Sequence, residues 1–105
     1  QTLRVCVDYR RLNTMVLPDC LPVPRMDEVL EKLQNARVFA IMDLENGFLH
    51  VPIEEERRKY TAFVTKEGLF EFNRAPFGFR NSPAAFIRFV NHIFQDLINK
   101  DVLQV

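Results

Sequence analysis

The chain has 105 residues, of which 48% are hydrophobic and 27% charged, and its 14 basic residues balance its 14 acidic ones. This length and composition predict one globular domain and argue against a disordered chain, and no run approaches the roughly 20 apolar residues that a membrane helix needs. A net charge of zero gives no electrostatic argument for a nucleic-acid partner. Any such partner must be inferred from local motifs.

The two cysteines, Cys6 and Cys20, lack the spacing of metal ligands, and the sequence shows no secretory leader. Disulfides form mainly in proteins of oxidising compartments. We therefore expect two free thiols in an intracellular protein that is not secreted, with a disulfide or a zinc site as the less favoured alternatives.

The first quarter of the chain predicts one strand followed by irregular structure. Residues 3–7, LRVCV, alternate and carry enough β-branched side chains for a strand, and a polar stretch follows at residues 8–13. Each of Pro18, Pro22 and Pro24 removes a backbone donor and biases the preceding residue away from helix. The stretch around these prolines is therefore predicted to be an extended connector.

A helix and a buried strand are predicted next. Apolar residues recur at helical spacing over residues 25–34, with charged residues between them, which predicts an amphipathic helix. The continuous apolar run at residues 38–44 predicts a buried strand, and residues 51–53 predict a short one. The apolar face of the helix consists of Met26, Val29, Leu30 and Leu33.

A hairpin is predicted in the second half of the chain. The charge run EEERRK at residues 54–59 is expected to be solvated. Residues 61–65 and 69–73 are rich in β-branched and aromatic side chains, and the glycine-containing turn at residues 66–68 joins them. These two strands are predicted to pair antiparallel.

Residues 82–99 give the clearest helical pattern. Ser82 is a favoured N-cap, Pro83 suits the first helical position, and apolar side chains follow along one face to about Asn99. Such a helix would be about 25 Å long. Residues 102–105 then predict another strand. This order of elements predicts an α+β fold with a mostly antiparallel sheet and two main helices.

Asp43 is the first candidate for a functional residue, because it places a carboxylate near the end of a run that predicts a buried strand. An Asp at a strand end commonly begins a turn, and Asn46 and Gly47 favour that structural interpretation. A role for Asp43 in chemistry therefore depends on the motifs around it.

Four stretches in a fixed order resemble a known family. They are VDYRRLN at residues 7–13, LPVPRMDEVL at residues 21–30, FAIMDLENGF at residues 39–48 and PFGFRNSPAAF at residues 76–86. Together they resemble the reverse transcriptase domain of gypsy-class LTR retrotransposons and, more distantly, that of retroviruses.

The resemblance implies a partial right-hand polymerase fold. Residues 1–22 and 51–81 would belong to the fingers, and residues 23–50 and 82–105 to the palm. In that family the last palm strand leads into a Tyr-x-Asp-Asp hairpin, which would follow Val105. We therefore expect this chain alone to be inactive as a polymerase and to self-associate through exposed strand edges.

The resemblance also implies a reaction and a metal. Asp43 would be the first catalytic carboxylate and, with the backbone carbonyl of Leu44, a ligand of two Mg²⁺ ions in the complete enzyme. That enzyme adds deoxynucleotides to a primer 3′ end by in-line phosphoryl transfer, and hard cations favour such oxygen ligands. The implied partners are an RNA or DNA template, a primer and deoxynucleoside triphosphates, in the cytoplasm or in an element-derived particle.

Several residues are implied to bind the incoming nucleotide. Phe48 would be the aromatic gate that crowds a ribose 2′ hydroxyl, with an ordinary core phenylalanine as the alternative. The backbone N–H groups of Asn46 and Gly47 would face the triphosphate. Arg10 would clamp it with a planar fork of donors, although Arg11 beside it, or simple solvation of the side chain, are alternatives.

The last motif implies contacts to base, sugar and template. Phe77 and Gly78 fall in the loop that contacts the base and sugar of the incoming nucleotide in this family. The helix after it would lie along the template, although single arginines near a helix start are more often only solvated. The candidates for nucleic-acid binding are Arg80, Ser82, Pro83 and Arg88.

Two competing interpretations stay open. The first is a decayed or repurposed element whose fold serves as a non-catalytic interaction module, and the second is an unrelated α+β domain with chance matches. Glu45 and Asn46 also stand where the family more often has basic and small residues, which is expected to affect nucleotide affinity rather than fold.

Overall fold

The computed structural model describes residues 3–100, 103 and 105 and combines helices with one small sheet. The α+β class predicted from the sequence is therefore confirmed. The predicted strand at residues 102–105 lies outside the described residues, apart from Leu103 and Val105. The helices are α1 (Arg10–Met15), α2 (Met26–Leu33), α3 (Glu55–Arg58), α4 (Ser82–Ile93) and α5 (Gln95–Asn99), with 3₁₀ turns at Gly47–His50 and Lys59–Thr61.

The predicted amphipathic helix at residues 25–34 is confirmed as α2, which is one residue shorter at each end. Asp27 and Glu28 lie in its first turn and Lys32 in its last, an arrangement that complements the helix dipole. The connector before it, around the three prolines, carries no regular structure, as predicted. Helix α1 was not predicted, because its six mostly polar residues are too few to show an apolar repeat.

The start of α4 differs from the prediction. Ser82 is not the N-cap but the first helical residue, 1% exposed, and its Oγ donates a hydrogen bond to the Pro76 carbonyl at 2.8 Å. The hydroxyl therefore bonds a buried carbonyl and does not cap the N–H groups at the start of the helix. The predicted single helix to Asn99 is also wrong, because α4 ends at Ile93 and a turn at Phe94 separates it from α5.

The sheet consists of one antiparallel hairpin, as predicted, with shorter strands. β1 (Phe63–Thr65) pairs with β2 (Gly68–Phe70), and Phe63 lies opposite Phe70. Their rings stack with centroids 5.9 Å apart. The turn residues Lys66 and Glu67 are exposed.

The other predicted strands are wrong within the described part of the chain. Residues 3–7 and 38–44 carry no regular structure, and most of their apolar side chains are exposed. Residues 51–53 contribute only an isolated bridge between Pro52 and Arg74. The apolar run satisfied the pattern of a buried strand, but a strand also needs a hydrogen-bonded neighbour. No described segment pairs with residues 38–44, so the expected mostly antiparallel sheet reduces to two strands.

A small core joins distant parts of the chain. The Tyr9 hydroxyl donates to the Thr61 carbonyl at 2.7 Å, and the Tyr9 ring packs edge-on against Phe79 with centroids 6.3 Å apart. The Thr61 hydroxyl accepts the backbone N–H of Phe72 at 2.8 Å. The buried apolar residues of the described part of the chain are Tyr9, Val51, Ala75, Pro76, Ala84 and Val90.

The molecule is elongated around this core. Its extents are 56 × 33 × 23 Å and its radius of gyration is 17.0 Å, whereas a compact domain of this length would have a radius of about 13 Å. Among the described residues, none of the helices has the length and apolar character needed to cross a bilayer.

Candidate functional site

A cavity of about 610 Å³ lies between the segment that contains Asp43 and the face of α4. Residues 42–48 form one wall, and Phe77 and Phe86 contribute aromatic surface from later in the chain. Leu103 and Val105 also line it, so Asp43 shares a cavity with the described residues closest to the C-terminus. Six of the predicted site residues therefore surround one space: Asp43, Leu44, Asn46, Gly47, Phe48 and Phe77.

The wall at residues 42–48 is shaped by a left-handed residue and a tight turn. Asn46 has φ 52°, a conformation that Asn tolerates better than most residues. The 3₁₀ turn Gly47–His50 starts directly after it, and the first N–H groups of such a turn have no partner within the turn. The His50 carbonyl accepts a bond from Arg74 at 3.2 Å, which anchors the far end of the turn.

Three phenylalanines pack together at the cavity. The Phe48 ring lies 5.5 Å from the Phe77 ring and 5.8 Å from the Phe86 ring, centroid to centroid. Gly47 approaches Phe86 so closely that an added Cβ would lie 2.9 Å from Cζ of that ring. The absence of a side chain at position 47 therefore permits this contact. Sequence reasoning placed Phe86 only on the apolar face of its helix, and its place in the PFGFRNSPAAF motif was the signal available.

The charges around the cavity differ from those predicted. Arg4 lines it, and its guanidinium carbon lies 5.4 Å from the centre of the Phe77 ring, a cation–π arrangement. Sequence reasoning missed Arg4, which lay within a predicted strand. Asp43 and Glu45 supply the acidic side chains of the lining.

Arg10 lies outside the cavity lining and is held by a neighbour. Its guanidinium makes a two-pronged ion pair with Asp8, with Nη2 2.6 Å from Oδ2. Hydrogen bonds from the Arg10 side chain, and then from its backbone N–H, lower the pKa of Asp8 to about 2. Both side chains are exposed, so this pair contributes little to folding.

Three of the four nucleic-acid candidates near the start of α4 bond to other groups of the same chain. Arg80 donates to the carbonyl of Asn13 at 3.2 Å, and Arg88 forms a two-pronged ion pair with Asp19. Hydrogen bonds from Arg88 lower the pKa of Asp19. Ser82 is buried, whereas Pro83 is exposed. Gly78 lies outside the cavity lining, with φ 83° and its carbonyl turned to Asn13.

The acidic groups at the cavity provide only part of a metal site. Mg²⁺ is usually held in proteins by one or two carboxylates together with substrate phosphates and water. Asp43 is exposed at the cavity and the Leu44 backbone is beside it, so these oxygens suit such a partial role. In the described part of the chain, no cluster of three or more His, Cys, Asp or Glu residues converges on one point.

The chain matches known proteins over nearly its whole length. A family model described as "Reverse transcriptase (RNA-dependent DNA polymerase)" matches residues 1–104. The retrovirus-related Pol polyprotein from transposon 297 of Drosophila melanogaster is 47% identical over 95% of this chain, and that from transposon gypsy is 34% identical over 92%. This chain spans 9% of each polyprotein. An RNA-directed DNA polymerase homolog of Oenothera berteroana is 33% identical over 97% of this chain and 72% of its own length.

Proposed function

Since this chain belongs to the reverse transcriptase (RNA-dependent DNA polymerase) family, we propose that its cavity holds the incoming deoxynucleoside triphosphate during RNA-directed DNA synthesis. The predicted resemblance to gypsy-class LTR retrotransposons is confirmed by the matches to transposon polyproteins. The non-catalytic interaction module is not favoured. In the complete protein, template and primer are the proposed partners.

One observation carries the proposal. Residues 43–48 and Phe77 are separated by about 30 positions in sequence, yet they line one cavity of about 610 Å³. That volume is within the range of small-molecule sites, roughly 300–1,000 Å³. The lining combines aromatic surface, backbone N–H groups and charged side chains of both signs, and these suit a base, a phosphate chain and a metal ion respectively.

The proposed roles follow from where each group lies. Phe48 is the sugar gate, because its ring is wedged between two other aromatic rings and has little freedom to move aside. Asn46 and Gly47 offer N–H groups at the start of the turn to the phosphates. Arg4 is the cation that the cavity presents to them, whereas the predicted clamp, Arg10, would first have to leave its ion pair with Asp8.

A metal forms part of the proposal. Asp43 would offer a carboxylate and Leu44 a backbone carbonyl to Mg²⁺, with two ions in the complete enzyme. Bound Mg²⁺ supplies positive charge that stabilises a transferring phosphoryl group. The described residues bring only Asp43 and Glu45 to the cavity as acids, so we expect the 105-residue chain alone not to extend a primer. Sustained incorporation in a primer-extension assay with the purified chain would contradict this expectation.

Sugar selectivity tests the function directly. The chain should bind dTTP more tightly than 5-methyluridine triphosphate, which differs from dTTP only by its 2′ hydroxyl, in the presence of Mg²⁺, because the Phe48 ring crowds that hydroxyl. Phe48→Val should reduce this preference by about tenfold, the equivalent of about 1.4 kcal/mol. Phe70→Val, in the hairpin and outside the cavity lining, is the matched control and should leave the preference unchanged. Equal affinity of the unmodified chain for dTTP and 5-methyluridine triphosphate would refute the proposal.

A further inference from the structure

The side chain of Asn13 connects helix α1 to the loop that carries Phe77. Its Nδ2 donates to the Gly78 carbonyl at 2.8 Å, and its Oδ1 accepts the backbone N–H of Arg80 at 2.8 Å. These partners lie 65 and 67 positions away in the sequence. One planar amide therefore bonds to the loop with both its donor and its acceptor, much as a neighbouring strand would.

The contact is specific to an amide of this length. Binding a carbonyl and an N–H two residues apart requires a donor and an acceptor on one rigid group, which carboxylates and aliphatic side chains lack. Gly78 contributes by adopting φ 83°, a left-handed conformation that glycine adopts at little cost. A Cβ at Gly78 would meet the Val7 carbonyl at 3.7 Å, so the loop passes close to the segment that precedes α1.

Side chains of the same loop also donate hydrogen bonds to backbone carbonyls of residues 13–17. Arg80 Nη1 donates to the Asn13 carbonyl at 3.2 Å and to the Val16 carbonyl at 3.5 Å. Asn81 Nδ2 donates to the Leu17 carbonyl at 2.9 Å. We name residues 13–17 together with residues 78–81 the loop brace. The Arg80 side chain is exposed and makes these bonds at the surface of the protein.

The loop brace lies beside the ring that closes one side of the cavity. Phe77 directly precedes the brace, and its ring packs against Phe48 at 5.5 Å and under Arg4 at 5.4 Å. We propose that Asn13 is a positioning residue that fixes the loop of Phe77 and Gly78 against the base and sugar of a bound deoxynucleoside triphosphate. This inference rests on the nucleotide-binding function proposed above, and it adds a residue that makes no contact with the cavity itself.

Because the two hydrogen bonds of the Asn13 side chain are exposed, their loss should affect folding and nucleotide binding differently. Both bonds of the Asn13 amide are exposed, so water can replace them and the free energy of unfolding should change little. The loop would then sample more conformations, and binding would have to order it again. Asn13 should therefore affect nucleotide affinity more strongly than folding.

The test compares two ligands on the purified chain. Asn13→Leu keeps the size of the side chain and removes both bonds, and we expect dTTP to bind about tenfold more weakly. Inorganic tripolyphosphate lacks the base and sugar, so its affinity should stay within about twofold of that of the unmodified chain. Asn91→Asp, an exposed position on α4, is the control for surface substitution.

A second variant and a second measurement protect the test against misfolding. Asn13→Asp keeps an acceptor for the Arg80 N–H and loses the donor to Gly78, so it should give a smaller loss of dTTP affinity than Asn13→Leu. Hydrogen exchange of the Arg80 amide should be about tenfold faster in Asn13→Leu while the core amides keep their protection.

The outcomes separate the two proposals. If both Asn13 variants bind dTTP within twofold of the affinity of the unmodified chain, the proposed role of Asn13 is overturned. The proposed nucleotide site is not affected by that result. Equal loss of dTTP and tripolyphosphate affinity would also overturn the role of Asn13, since that pattern indicates general damage. No binding of dTTP by the unmodified chain would overturn the nucleotide site itself, and with it the positioning role.

Discussion

Replacing Gly47 with alanine tests how the cavity wall is packed. Gly47 is the first residue of a right-handed 3₁₀ turn and does not have a positive φ, so alanine fits its backbone without strain. The added Cβ, however, would lie 2.9 Å from Cζ and 3.0 Å from Cε2 of Phe86. Ordinary contact begins near 3.4 Å, so the Phe86 ring must move by about half an ångström.

Two opposing terms decide the size of the effect. Replacing a glycine at a compatible position stabilises a protein by about 0.4–1 kcal/mol, because the unfolded chain loses freedom. Overpacking costs about 1–3 kcal/mol. The ring is packed against Phe48 on one side and can tilt into the cavity on the other, so we expect Gly47→Ala to destabilise the chain by a net value of about 1 kcal/mol. Urea unfolding followed by circular dichroism measures this free energy.

A double-mutant cycle identifies the cause. Phe86→Leu removes the atoms that clash, so alanine at position 47 should be neutral or slightly stabilising in that background. The displaced ring should also disturb Phe48, which lies 5.8 Å away, and weaken dTTP binding in the single variant. If Gly47→Ala alone were more stable than the unmodified chain, the close approach to Phe86 would not matter and our account of the wall would be refuted.

Three further predictions concern the core, the exposed apolar segment and the ion pair. Tyr9→Phe should lower the free energy of unfolding by about 1 kcal/mol in urea titrations, because a buried carbonyl loses its donor, whereas the exposed Tyr60 should tolerate the same change. Ile41 is 98% exposed within an apolar run, so the chain should self-associate at high concentration and Ile41→Lys should reduce this. A monomer at all concentrations in analytical ultracentrifugation would contradict that view. The contribution of the Asp8 ion pair should be present above pH 3.8 and lost as the pH falls toward 2, because folding lowers the pKa of Asp8 to about 2. Carboxyl NMR should show that pKa, and Arg10→Leu should return it to near 3.8.

Sequence patterns predicted correctly those elements that are formed by residues close together in the chain. The helix at Met26–Leu33 and the hairpin around Lys66 and Glu67 follow from periodicity and turn residues within a few positions. The strand at residues 38–44 failed because its apolar pattern cannot specify a partner strand. Likewise, Ser82 had the identity of an N-cap, and only the fold brings the Pro76 carbonyl within its reach.

In the candidate site too, the sequence predicted some residues and could not predict those whose partners are set by the fold. The family motifs identified six residues that line the cavity, because their order in the sequence carries the information. The motifs pointed to Arg10, with Arg11 as an alternative. They could not indicate the ion pair that holds Arg10 or the position of Arg4 at the cavity, since both depend on side-chain geometry. Arg80 and Arg88 were named as template candidates from their place near the start of the helix, and the structure adds partners for both that lie more than 60 positions earlier in the chain. Pairings over that distance leave no local signal.

The loop brace has a consequence for how the polypeptide could be divided. Its bonds join residues before position 20 to residues after position 77, and the Ala75 N–H also donates to the Val51 carbonyl at 2.9 Å. A cut between Lys66 and Glu67 would fall in an exposed turn, and these bonds would still span the break. Because the brace bonds are exposed, the packing of the buried Tyr9 against Phe79 would supply more of the attraction between two separately made halves, and this turn is the place to divide the chain for split-protein complementation.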